Sequence, residues 1–87
     1  MATYLVTYDL SNPEQKYKNV LNEIKKYSWT QLSESSYAIS TSLSESQIFK
    51  NLSPNLDSND QLYIITLSKP YRGRGAQEVN SWLEKFL

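Results

Sequence analysis

Two short stretches of this sequence hold side chains that can do chemistry. The first closes the run Thr3-Tyr4-Leu5-Val6-Thr7-Tyr8-Asp9-Leu10, where the carboxylate of Asp9 is followed at once by the turn cluster Ser11-Asn12-Pro13. An Asp at the point where a strand gives way to a loop lies at a sheet edge, and loops on a rigid scaffold commonly carry function. The second stretch runs from Lys69 to Gly75. Lys69, Arg72 and Arg74 are its cations, Tyr71 sits among them, and no acidic residue occurs between Gln61 and Gln77. Cations of this kind contact phosphates, and an aromatic face stacks a base. Gly73 and Gly75 let a backbone come close to a ligand. The loop follows a strand and opens a helix, as phosphate loops do, but lacks the spacing of a nucleotide-binding fingerprint. The plain alternative is a flexible solvated loop.

What is missing narrows the chemistry further. The 87 residues include no Cys and no His. Disulfides, thiolate nucleophiles, Ser-His triads and His- or Cys-ligated metals are therefore excluded. Catalysis would fall to carboxylates, Lys, Arg, Tyr or hydroxyls, and a bound metal would be a hard cation held by oxygen, such as magnesium. Nine basic residues balance nine acidic ones, which argues against a general nucleic-acid coat protein but allows a local basic patch. No signal-peptide pattern and no long apolar run is present, so a soluble cytoplasmic protein with no membrane partner is expected.

The elements that must position these residues follow from periodicity. Residues 3–9 predict a strand, with Tyr4, Val6 and Tyr8 on one face and Leu5, Thr7 and Asp9 on the other. Residues 13–27 predict a helix with Tyr17, Val20, Leu21 and Ile24 on one side. Asn12 suits its cap, Pro13 its first turn and Gln15 a capping box, and Lys25 and Lys26 fall in its last turn. Residues 29–33 and 36–41 predict two strands joined by a tight turn at Glu34-Ser35. Residues 45–52 predict a helix capped by Ser44 and Gln47, with Leu43 and Ile48 as a hydrophobic staple, ended by Ser53-Pro54. The nearly continuous apolar run of 61–67 predicts a central strand. Residues 76–86 predict a final helix with Val79, Trp82, Leu83 and Phe86 on one face. Tyr17 and Trp82, on apolar helix faces, are expected in the core rather than at a ligand.

This order predicts a single α+β domain over 1–87: a ferredoxin-like βαββαβ fold with a four-stranded antiparallel sheet, plus a C-terminal helix. Two helices cover one sheet face, and the terminal helix covers only part of the other. A second copy of the chain is the simplest cover for the rest, so a homodimer is expected.

Residues Tyr4 to Leu10 resemble the opening strand of the small CRISPR-associated ferredoxin-like family, and Tyr8-Asp9-Leu10 resembles that family's aromatic-Asp-aliphatic ending. Residues Gln31 to Tyr37 are loosely similar to its second strand. The likeness is closer to the SinR-like small bacterial and phage proteins, which share this opening, a Trp near the second strand (here Trp29) and a Trp in the last helix (here Trp82). It covers nearly the whole chain in element order and residues 4–10 in sequence. The resemblance implies a dimeric scaffold for spacer acquisition and, in some members, a metal-dependent endonuclease. By resemblance Asp9 matches the metal-associated carboxylate, with two copies facing each other across a twofold axis. There it would hold magnesium and position a water for phosphodiester hydrolysis, helped by its symmetry mate or by substrate phosphates. The plain alternative for Asp9 is an Asx turn with the following backbone. Two functions are thus expected: a dimeric RNA- or DNA-associated protein with metal-dependent nuclease chemistry, or a non-catalytic dimer that binds a protein partner.

Overall fold

A computed structural model describes the backbone of residues 1–87 and every side chain except those of residues 13 and 15. The chain forms β1 (Ala2–Asp9), α1 (Pro13–Ile24), β2 (Ser28–Ser33), β3 (Ser36–Thr41), α2 (Glu45–Leu52), a 3₁₀ turn (Ser53–Asn55), β4 (Gln61–Leu67) and α3 (Gln77–Phe86). The four strands make one antiparallel sheet in the order β2-β3-β1-β4. This is the expected α+β, ferredoxin-like arrangement with a C-terminal helix.

Period-two alternation decides which side chains meet the helices. Tyr4, Val6 and Tyr8 of β1 and Tyr37 and Ile39 of β3 are buried against Val20 and Ile24 of α1 and Ile48 and Leu52 of α2. Each such apolar side chain contributes roughly 1.5–3 kcal/mol on burial. The two buried phenols of β1 also find acceptors: Tyr4 donates to the Leu43 carbonyl at 2.8 Å and Tyr8 to the Glu34 carbonyl at 3.1 Å. On the opposite sheet face the buried residues are small. Thr3, Thr30, Ala38 and Ser40 are all buried there, and Thr3 Oγ1 donates to the Phe86 carbonyl at 3.1 Å. Small side chains leave room for α3, which packs against β2 and reaches β1 through that bond. The alternation of β3 therefore marks two faces that are both covered, one by bulky and one by small residues.

The capping of α2 follows the sequence. Gln47 N–H donates to Ser44 Oγ at 3.2 Å and Ser44 N–H to Gln47 Oε1 at 2.9 Å. Leu43 and Ile48 both join the core. Ser44→Ala should lower stability by about 1 kcal/mol, measured by urea unfolding, and Ser44→Asn should restore most of it. Equal stability of the Ala variant and the parent would show that the box carries no weight here.

Two expectations change and a third lies outside the described residues. α1 ends at Ile24 rather than at residue 27, with Lys25 at its C-cap, so Lys25 and Lys26 lie beyond its last turn. Lys26 N–H donates to Glu23 O at 3.2 Å and Tyr27 N–H to Ile24 O at 3.1 Å. These tight bonds turn the chain early enough for Ser28 and Trp29 to pair with Ser40 and Ile39. Asn12 occupies the N-cap position of α1, while the Gln15 side chain of the expected box lies outside the described residues. Lastly, β4 is an edge strand, not a central one, and pairs only with β1. Its Leu62 and Ile64 pack against the core, but Tyr63 and Ile65 on the other face are 61% and 48% exposed. Its apolar run thus does not reflect two faces covered within the chain.

Candidate functional site

The loop after β4 starts at one edge of the sheet and brings its aromatic and basic residues to the other. Tyr71, Arg72 and Arg74 line a groove of about 760 Å³ between α3 and residues 29–32 of β2. The far end of the loop is fastened to α3: Asn80 Nδ2 donates to Gly75 O at 3.2 Å, and the Val79 and Asn80 amides to Ala76 O at 3.1 Å. Trp82 and Leu83 of α3 and Leu32 of β2 supply apolar wall, and the charged lining is Arg72, Arg74 and one acidic residue, Glu78. Lys69 is exposed and is not among the lining residues. A Cβ at Gly73 or Gly75 would meet open space, and neither residue has positive φ. Their small size matters only if a ligand comes close.

The two tryptophans play different parts. The Trp29 ring packs edge-on to Tyr37 at 5.7 Å, with Lys25 Nζ 4.9 Å above it. By strand parity with Ile39 it belongs to the α1 side of the sheet. Trp82 is half-buried, 4.4 Å from the Phe86 ring, and forms part of the groove. The expected core position of Trp82 is therefore only partly realised. Tyr17 is half-buried beside Tyr8, with ring centroids 6.5 Å apart.

Asp9 lies at the exposed end of β1 and lines a cavity of about 420 Å³ with Glu34, Ser35, Tyr8 and Tyr17. Tyr8 holds the β2–β3 turn against the end of β1, through its amide to Ser35 O at 3.0 Å and its hydroxyl to Glu34 O. Two carboxylates from distant parts of the chain thereby border one space. Burial, and then the neighbouring Tyr17 and Tyr37, push the Tyr8 phenol well above its ordinary value; burial, then Tyr17, push Tyr37 up to about 12. Both phenols stay protonated at neutral pH, and Tyr8 acts as a donor rather than a nucleophile. The Asx turn of the plain alternative is not formed. The Ser11 amide, which Asp9 would have to engage, donates instead to Asp60 Oδ1 at 2.8 Å. Among the described residues the Asp9 carboxylate has no hydrogen-bond or ion-pair partner. Oxygen donors from Asp9 and Glu34 suit a hard cation such as magnesium. Among the described residues no three acidic side chains cluster, so water and substrate phosphates would complete such a shell.

Beside this cavity a separate cluster locks the turn after β1. Lys16 Nζ bridges Asp57 and Asp60, lying 2.7 Å from Asp60 Oδ2, and Asp60 also accepts from the Ser11 hydroxyl at 2.9 Å. The Asp60 side chain is wholly shielded from solvent by these partners. Lys16 beside it, and then the Asp57 and Ser11 amides, hold the Asp60 carboxyl well below the carboxylate range; Lys16 and the Asn59 amide lower Asp57. The two carboxylates in turn raise Lys16. A carboxylate whose folded pKa is depressed stabilises the fold above its unfolded value and loses that contribution as pH falls through the folded one. Melting temperature should therefore drop below about pH 4. Lys16→Met should melt lower at neutral pH and show a shallower acid limb. The Lys16 contribution itself is complete below its ordinary value of about 10.4 and is lost above it. Superimposable acid profiles for the two proteins would remove this clamp from the account.

Several of these neighbours had no signal in the sequence. Glu34 looks like a turn residue until β1 and β3 are paired. Leu32, Glu78 and Asn80 join the basic loop only because α3 folds back across the sheet to β2. No helix among the described residues is long and apolar enough to cross a membrane. The chain matches no protein-family model and no curated protein sequence.

Proposed function

We propose that the protein is a small homodimeric nucleic-acid-associated protein of the cytoplasm that holds RNA or DNA in the groove between β2 and α3. The observation that carries this reading is that Tyr71, Arg72 and Arg74 line one groove together with Trp82. Guanidiniums at a concave, partly aromatic surface suit a phosphate chain whose bases stack. Two-thirds of the loop's charge faces that groove, and Lys69 adds to the field from outside it. The likeness of residues 4–10 to the CRISPR-associated ferredoxin-like proteins and their SinR-like relatives points the same way. Fluorescence polarisation of labelled single strands and duplexes, RNA and DNA, tests it. Saturable binding that weakens with added salt is expected. No binding to any of the four at low salt would favour the non-catalytic protein-interaction module instead.

A second reading is metal-dependent phosphodiester hydrolysis at Asp9. It is favoured by one observation, that Asp9 and Glu34 border the same cavity while Asp9 has no partner among the described residues. Magnesium bound there would polarise a phosphate and lower the pKa of an attacking water. The chain's own part is to hold the two carboxylates apart from any cation of its own and open to solvent.

A further inference from the structure

Met1 apart, the exposed large apolar side chains fall into two groups. Trp29, Leu32 and Tyr71 border the groove, whereas Phe49, Tyr63 and Ile65 gather at the β4 edge, exposed by 47%, 61% and 48%. Phe49 lies beside β4 on the helix side of the sheet, and Tyr63 and Ile65 point to the other side. The strand between them, Gln61 to Leu67, carries no charge and no proline, and its register with β1 is unbroken. Free strand edges are normally blunted by charge, proline or a bulge. The opposite edge, β2, has its register shift between Gln31 and Ser33 and stands beside the groove. β4 has none of these defences.

We infer that β4 pairs antiparallel with β4 of a second copy, joining two sheets into one of eight strands. This rests on the homodimer proposed above and assigns its contact surface. Directly opposed residues in an antiparallel ladder share a face, so a twofold axis normal to the sheet can pass only through a residue, never between neighbours. Centred on Ile64, it pairs all seven residues of the strand. Tyr63 then lies opposite the partner's Ile65, twice over, which is a favourable aromatic–β-branched pair. The free edge is self-complementary in this register: the same exposed pair, Tyr63 and Ile65, meets its own kind on both sides of the axis, so a second copy covers it. On this arrangement the two Asp9 carboxylates lie about 25 Å apart, from the usual strand spacing and rise, and do not face each other. Each must work with the Glu34 of its own chain.

Cysteine pairs test the register in a chain that has no Cys of its own. The Tyr63→Cys and Ile65→Cys proteins, mixed under mild oxidation, should form a disulfide-linked heterodimer, because opposed Cα atoms lie within disulfide range. Each variant alone should stay uncrosslinked, because its own copies sit two residues out of register and about 8 Å apart, beyond that range. Sedimentation of the parent should give twice 10.1 kDa. Ile65→Lys, with unchanged far-ultraviolet circular dichroism, should weaken association at least about tenfold. A parent dimer that neither crosslinks in the mixture nor responds to Ile65→Lys would overturn the β4 contact and leave the dimer standing on another surface. A parent that is monomeric at about 100 μM, a concentration that detects weak dimers, would overturn both.

Discussion

Replacing Lys69, Arg72 and Arg74 together by alanine is expected to weaken binding to RNA or DNA across all sequences. Salt dependence should flatten in step, by about 0.7–0.9 in the log–log slope for every phosphate no longer neutralised. The structure divides the effect. Arg72 and Arg74 line the groove and Lys69 does not, so the two arginines should account for most of the fall in affinity. Lys69→Ala should chiefly slow association, since a charge outside the groove acts through the field it adds. Glu78→Gln removes the one opposing carboxylate of the groove wall and should strengthen binding. Tyr71→Ala and Trp82→Ala should each cost about 1–3 kcal/mol if a base stacks there, with little change in slope, because the phosphates keep their cations. Polarisation titrations at three salt concentrations separate these cases. A triple variant that binds like the parent, with the same slope, excludes the groove as the nucleic-acid interface.

The second large effect concerns Asp9. Any cleavage of labelled RNA or DNA by the parent is expected to need magnesium or manganese, because the chain has no His or Cys to activate water. Asp9→Asn should abolish that cleavage while leaving fold and association intact. Asn keeps the size of the side chain but removes the charge that attracts a cation. The stability of the variant should be close to that of the parent, since the Ser11 amide is held by Asp60 and not by Asp9. Glu34→Gln should raise the magnesium concentration that cleavage needs if both carboxylates face one ion. With Asp9 pairs held apart by the β4 contact, the substitution should not stabilise the dimer. Two carboxylates pressed together at a twofold axis would repel at neutral pH, and their removal would raise the melting temperature. Melting with and without magnesium, alongside the cleavage assay, distinguishes these outcomes. Metal-dependent cleavage that survives in Asp9→Asn defeats the catalytic assignment. A parent that neither cleaves nor responds to magnesium on melting leaves nucleic-acid association without chemistry.

Much of the fold was legible because local signals agreed. The alternation Tyr4-Val6-Tyr8 against Leu5-Thr7-Asp9 named the core face of β1, and Ser44 with Gln47 placed the start of α2. What could not be read depended on pairing partners. The apolar run of β4 suggests a strand buried on both sides, yet its neighbours in the sheet are set by topology, and topology leaves it at an edge. The approach of α3 to β2 turned Thr30, Ala38 and Ser40 from exposed small residues into buried ones, and it created the groove. The basic loop was visible as a charge pattern, but its meeting with Trp82 and Leu32 was not. The contribution of Asp60 to the turn after β1 was hidden too, because 49 residues separate it from Ser11. Periodicity reports a face, not the element that covers it.

That same separation sets the order in which the molecule can assemble. β1 lies between β3 and β4, with partners some 30 and 60 residues away along the chain. The hairpin of β2 and β3 and the two flanking helices are local and can form within microseconds. The first strand has nothing to pair with until they exist, and the turn behind it stays open until Asp57 and Asp60 arrive. Loop closure over such distances slows folding. During synthesis the opening strand must therefore wait, with its tyrosines and valine uncovered, until most of the chain has emerged. Of all segments it is the one most exposed to capture by a chaperone or by a stray strand edge.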